Sequence, residues 1–226
     1  MSIEHNALGR QLIARYNDGE RDFSHEYLVE ANCAGANFSG ANFSGSFLRD
    51  AVLRGVNFSR ANFSGSNLRG AVLRGVNFTD AVLWDTTLET ADMFGAILYG
   101  ANCGRARFAW ADMGGIAATG ADFTSADFRW AHVHNTLGLI PRSHMGSANY
   151  MAVAWYRKAR WGNPSLMLNV GCFSGTPAEM FSLFQTSREK LSDPRWQKGG
   201  RYWREYEEFV NSASFRLVPV GGGGGE

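Results

Sequence analysis

The sequence predicts a mainly β solenoid of four-sided coils, with a helix before it and a small α/β module after it. Three observations carry this. From Arg21 to Asn135 the chain reads in blocks of five with no break in phase, which gives 23 blocks. A second period of 20 lies over the first, since residues 41–60 (ANFSGSFLRDAVLRGVNFSR) nearly recur as 61–80 (ANFSGSNLRGAVLRGVNFTD). Composition and charge also shift after residue 135.

Within the blocks the third position is usually large and apolar. From Ala31 through Ala131 the first is small or β-branched, mostly Ala, with Ser46, Ser66, Thr86, Val56, Val76 and Ile116 as variants. The second favours Asn or Asp, and the fourth and fifth are polar or Gly, as in ANFSG at 36–40, AVLRG at 51–55, ADMFG at 91–95 and ADFTS at 121–125. A five-residue period fits neither a 3.6-residue helix nor a two-residue strand. Two inward side chains per block imply a short extended piece followed by a turn. The 20-residue period makes four blocks one coil, so residues 20 apart stack at about the 4.8 Å strand spacing. Sorted this way, the third positions form four columns: Phe23 to Phe123, Leu28 to Phe128, Cys33 to Val133 and Phe38 to Ala118. Size is nearly constant along each, as a continuous stacked interior requires.

These A(D/N)(L/F)xx blocks resemble the pentapeptide-repeat family over about half the chain. The resemblance implies a right-handed, quadrilateral β-helix, with about six coils making a rod about 28 Å long.

An open solenoid exposes backbone and core at both ends. Asn6 to Tyr16 reads as an amphipathic helix with Leu8, Leu12 and Tyr16 on one face, ended by Gly19. Residues 1–20 are therefore the expected N-terminal cap, and 21–135 the β-helix. Residues 136–220 read as the α/β module, with strands at Tyr150–Tyr156 and Leu166–Val170. A helix is expected from Thr176-Pro177-Ala178-Glu179, and a second amphipathic stripe through Tyr202, Trp203, Tyr206, Phe209 and Val210. The stretch from Val170 to Phe184 resembles, faintly, small modules attached to pentapeptide proteins of phages. Residues 221–226 read as a flexible tail.

The formal charge is +1, which argues against a globally acidic nucleic-acid mimic and a globally basic nucleic-acid coat. Three cysteines in 226 residues do not make a disulfide scaffold, so a reducing compartment is the default. Without a signal-peptide core or a membrane-length apolar run, the expected location is cytoplasmic, with no membrane partner. Cys33 and Cys103 fall at inward third positions, several coils apart. Cys172 reads as a structural thiol, because no base lies close in sequence. His132, His134 and His144 flank the junction without a matching carboxylate or Cys cluster, so no metal is expected. No nucleotide loop or hydrolase signature appears, and no cofactor is expected. The Asp at second positions read as turn residues.

The surface rows are more informative. Arg49 and Arg69 are stacked fourth-position residues, and Arg54 and Arg74 stack on the adjoining side. Their two-by-two patch reads either as a solvated face balanced by Asp50 or as a docking site for an acidic protein surface or phosphates. Trp110 and Trp130 are fifth-position residues 20 apart, predicted to stack outside the coils. Trp84, Phe94 and Tyr99 also point outward. Such aromatics are either covered by the C-terminal module or form a contact surface, with a homodimer through that module as one form of it.

The resulting expectation is a non-catalytic protein-interaction scaffold. It would inhibit a host enzyme or defence complex, in the manner of an anti-CRISPR or DNA-enzyme inhibitor of a phage or mobile element. The alternative is nucleic-acid binding through the Arg rows and a basic C-terminal segment with Arg157, Lys158 and Arg160 beside Trp155 and Trp161. The resemblance also suggests duplex-DNA mimicry against topoisomerases. The near-neutral repeat, with nine basic and eleven acidic residues over 21–135, disfavours it. An enzyme built on the C-terminal module would need a base brought to Cys172 or to the junction histidines.

Overall fold

The structure is a computed structural model, which describes residues 3–136, 139–145, 150–157, 165–170 and 173–175. From residue 21 to residue 135 the backbone repeats one unit, and most of its N–H groups fall into one recurring set of hydrogen bonds. Taking the block at 41–45, the first-position N–H donates back to Phe38 O at 3.1 Å and closes the corner. The second donates to the coil before (Asn42 N to Arg21 O, 2.7 Å), and the third to the coil after (Phe43 N to Asn62 O, 2.7 Å). The fifth also bonds forward, Gly45 N to Ser64 O at 2.9 Å. That leaves the fourth N–H, and the second-position side chain takes it: Ser44 N donates to Asn42 Oδ1 at 3.1 Å. The same bond recurs at Asn62, Asn77 and Asp122. The preference for Asn or Asp at the second position is thus a turn requirement.

Parallel bridge pairs link each second-position residue to the one 20 further on, from Asp22 with Asn42 to Asp112 with His132. Four corners per coil follow from the fifth position, where the backbone is left-handed in every block from His25 (φ 58°) to Asn135 (φ 51°). Gly takes this conformation freely, which is why it recurs there. We number the faces by their first blocks: face one from 21–25, face two from 26–30, face three from 31–35 and face four from 36–40.

The four predicted columns form the core, and their third-position side chains are buried. Phe23, Phe43 and Phe63 stack at 5.2 and 5.1 Å between ring centroids, and Phe38, Phe58 and Phe78 at 5.8 and 5.6 Å. The two stacks meet edge to face, as in Phe58 with Phe63 at 4.8 Å and 87°. Such pairs contribute about 0.5–1.5 kcal/mol each beyond area burial. Further along, Leu98 and Ala118 replace Phe in the fourth column, while Phe108 and Phe128 replace Leu in the second. Bulk moves across the axis and the interior stays filled. The buried hydroxyls of Ser46 and Ser66 each bond a backbone carbonyl, at 2.6 and 2.7 Å.

Helix α1, Ile3–Asn17, starts three residues before the sequence pattern suggests and is followed by a turn at Gly19 with φ 101°. It lies on the first coil. Leu12 and Tyr16 are buried, and Tyr16 meets Phe38 edge to face at 5.3 Å. Gly9 fits only as glycine, because a Cβ there would overlap the Asn32 carbonyl. Arg15 bonds both Glu20 and Glu26 while its guanidinium lies 5.1 Å above the Phe23 ring. No helix among the described residues is long and apolar enough to cross a membrane.

After the coils, four antiparallel strands form one sheet in the order β1–β2–β3–β4: Leu139–Met145, Tyr150–Arg157, Ser165–Val170 and Phe173–Gly175. The sequence pattern points to β2 and β3. β1 escapes it because Pro141 reads as a breaker, yet β1 is an edge strand, where Pro is tolerated. β4 is only three residues long. The expected helices after Thr176 and through Tyr202, the tail at 221–226, and Cys172 lie outside the described residues.

Candidate functional site

Side chains with binding chemistry are not spread evenly over the four faces. Faces one and four carry mainly rows of small neutral groups: Asn42 and Asn62 beside Ser44 and Ser64, Asn57 and Asn77 beside Ser59 and Thr79. The large aromatic exceptions are Trp84 on face one and Tyr99 on face four, 42% and 40% exposed, and single charged residues such as Arg105 on face one and Arg60 and Asp80 on face four also interrupt the rows. Face four holds a shallow polar groove of about 430 Å³ lined by Ser39, Gly40, Ser59, Arg60, Asn77, Thr79 and Asp80.

Faces two and three differ. Arg49 and Arg69 stand on face two and Arg54 and Arg74 on face three, all exposed, in the predicted two-by-two array. Acids balance three of the four. Arg49 lies 3.3 Å from Asp50, Arg74 3.3 Å from Asp92, and Arg69 4.0 Å from Glu89. Arg54 has no charged partner among the described residues. Exposed pairs of this kind contribute about 0–1 kcal/mol, so these guanidinium groups are cheap to redirect.

The aromatics divide by what they touch. Phe94 is stacked along its own face, with the Arg74 guanidinium 4.8 Å from its ring and Gly114 beneath it. His134 also lies over Gly114. Trp84 lies over Gly104, with Arg105 5.9 Å from its ring. Trp110 and Trp130 stack outside the coils as expected, 5.4 Å apart and 17° from parallel, while remaining 59% and 57% exposed. Both occupy left-handed corners, φ 63° and 60°, a conformation that costs a bulky L-residue about 1–2 kcal/mol.

Two aromatics escape the sequence reading. Tyr27 and Phe47 stand at second positions of face two, 75% and 44% exposed, with rings 5.5 Å apart. They take the place of the Asn or Asp whose oxygen holds the turn, and that departure from the repeat's own rule is the signal that marks them. With them, the four most exposed large apolar side chains among the described residues all belong to face two or its corner. Aromatic and Arg enrichment on an exposed face is the composition of an interface centre.

Nucleophile chemistry does not gather here. Cys33 and Cys103 are buried free thiols. Burial pushes the Cys33 thiol up to about 12, and Cys103 higher still. His132 and His134 are exposed, and no group of three or more His, Cys, Asp or Glu converges on a metal-sized site among the described residues. The side chain of His144, in β1, is not described.

Residues 31–70, 71–102 and 101–137 match the family described as Pentapeptide repeats, in eight copies. No curated protein matches the chain. Among solved structures, the chain is similar to HetL, a pentapeptide repeat protein involved in heterocyst differentiation regulation from the cyanobacterium Nostoc sp. strain PCC 7120. Identity is 21%, over 54% of this chain and 68% of that one, with a TM-score of 0.38. It is also similar to Rfr23 from the cyanobacterium Cyanothece 51142, at 23% identity over 57% and 94% of the two chains and a TM-score of 0.41. A third is QnrB1, a plasmid-mediated fluoroquinolone resistance protein, at 22% identity over 51% and 70%, with a TM-score of 0.28.

Proposed function

The chain belongs, through residues 31–137, to the pentapeptide-repeat family, whose members fold as right-handed quadrilateral β-helices, and we propose that it is a non-catalytic protein-interaction scaffold. The observation that carries this is the segregation of exposed Arg and aromatic side chains onto faces two and three of a rigid rod. Its finer form is that the protein inhibits a host enzyme or defence complex by occupying its surface. The binding chemistry displayed on the coils suits a protein that acts by occlusion. The free, buried thiols of Cys33 and Cys103 support a reducing compartment, which we propose is the cytoplasm.

Charge along the rod favours a protein partner over a polyanion. Residues 41–80 hold five arginines and two aspartates, whereas residues 81–135 hold three arginines and six carboxylates. A nucleic acid laid along the rod would leave the basic band within about two coils and meet an acidic one. A compact acidic surface fits the band alone.

The test is capture from native-host extract with the full-length protein, followed by reconstitution from purified components. Arg54→Glu is expected to weaken the reconstituted complex, and the wild-type protein to reduce the partner's activity. Salt-sensitive binding of duplex or single-stranded nucleic acid, lost with Arg54→Glu and with no protein partner, would overturn the reading.

A further inference from the structure

Face two is self-complementary, and we infer that its occupant is a second copy of this chain, packed antiparallel, face to face. The inference rests on reading this face as an interaction surface and adds what sits on it. A two-fold axis crossing the face between the coils of Arg69 and Glu89 brings each coil opposite one of the second copy. The third coil meets the fourth, the second meets the fifth and the first meets the sixth, with each row of positions facing itself.

In that register every pairing of the inner coils is favourable or neutral. Arg69 meets Glu89 of the second copy, and Glu89 meets its Arg69. Within one chain this pair is loose, at 4.0 Å, so both groups keep bonding capacity for a neighbour. Asn67 meets Thr87, amide to hydroxyl. Phe47, 44% exposed, meets the Arg107 guanidinium, a cation–π pairing. Asp50 meets the indole of Trp110, whose N–H is a donor that a carboxylate accepts. Arg49, a long side chain, meets Ala109, the smallest of its row. At the rim Tyr27 meets Asp127, hydroxyl to carboxylate. No like charges face one another.

Register is specified as well as permitted. Sliding the second copy by one coil places the axis on a single coil, which then faces itself. One direction sets Arg69 against Arg69, and the other sets Glu89 against Glu89 and Arg49 against Arg129. Like charges at contact cost enough to reject both alternatives. The pairing also accounts for Trp110, which occupies a left-handed corner and is exposed among the described residues. Arg54 and Arg74 lie on face three and stay open in the pair. The capture experiment with Arg54→Glu is therefore decided separately from this one.

The full-length protein is measured by sedimentation across concentration, with the chain mass of 24.9 kDa as reference. Wild type is expected to reach twice that mass, and to dissociate as salt is raised from about 0.05 to 0.5 M. Arg69→Glu leaves carboxylates at both 69 and 89, and Glu89→Arg leaves guanidinium groups at both. Each variant alone meets its own charge on the axis. Each should dimerise at least about tenfold more weakly, with thermal unfolding as the check that each is folded. Mixed one to one, the two variants are opposite at both contacts and should restore the dimer. Loss of the 69–89 pair inside each chain cannot produce that recovery. The inference is overturned by a monomeric wild type, by single variants that dimerise like wild type through some other surface, or by a mixture that stays monomeric.

Discussion

Trp84 lies flat over Gly104, one coil further along face one, in the space a Cβ at 104 would fill. Gly104 is one of the few glycines here without a left-handed backbone, so alanine is conformationally allowed, and the indole is the main obstacle, with Asn102 Oδ1 in a looser contact at 3.2 Å. Gly104→Ala should therefore lift Trp84 into solvent and leave the coil intact. The expected readout is red-shifted tryptophan emission, absent when the same change is made in a Trp84→Phe background. Stability should fall by less than about 1.5 kcal/mol, since only ring packing is lost. An unchanged spectrum would mean that the ring does not rest on residue 104.

The coils were legible because period, inward position and stacking interval are all written in single residues. Phe43 and Phe63 name their own column, and Asn62 names its own turn. The outer surface was legible only in part. Arg49 and Trp130 follow from counting, but the acids that meet the arginines are set by side-chain reach: Glu89 and Asp92 lie about 20 residues from Arg69 and Arg74. Tyr27 and Phe47 were hidden by the rule itself, which treats the second position as a turn residue. Past residue 135 there is no repeat to count. β1 and β4 there depend on pairing with β2 and β3, which local pattern does not encode.

Phe63 sits between Phe43 and the edge-on rings of Phe58 and Phe78. Its neighbours are held by bonds to the coils before and after, so they cannot collapse into a void. Phe63→Ala should cost about 3–5 kcal/mol, near the upper range for such a change. Phe123→Ala, near the last coil with fewer stacked rings, should cost less. Urea unfolding followed by circular dichroism measures both, and an equal loss would refute the dependence on stacking.

Trp130 brings two opposed effects to its corner. Its stack on Trp110 contributes about 0.5–1.5 kcal/mol, while its left-handed backbone costs about 1–2 kcal/mol. Trp130→Gly removes both, so stability should stay within about 1 kcal/mol of wild type or rise slightly. Trp130→Ala keeps the backbone cost, loses the stack and should be less stable than the glycine variant. Thermal unfolding of the pair tests this ordering, and alanine at or above glycine would contradict it.

Acid should loosen the join between helix and coil before it disturbs the coils. The Arg15 hydrogen bonds hold the Glu20 carboxyl below the usual glutamate range, and the same contacts raise the already high affinity of Arg15 for its proton. A carboxyl whose folded pKa is depressed adds stability that is complete above its unfolded value, about 4.3 for glutamate. That stability is lost as pH falls towards the folded value. Arg15 remains charged throughout, so the acid limb belongs to the carboxylate. Hydrogen exchange of α1 amides should thus accelerate as pH falls below about 4.3, after correction for the intrinsic rate, while amides such as Phe43 and Phe63 stay protected. Arg15→Met removes the pairing at every pH, so its helix should already exchange faster at pH 7 and show a flatter acid dependence. A wild-type helix whose corrected protection does not change between pH 6 and pH 3 would show that the Arg15–Glu20 contact does not hold it.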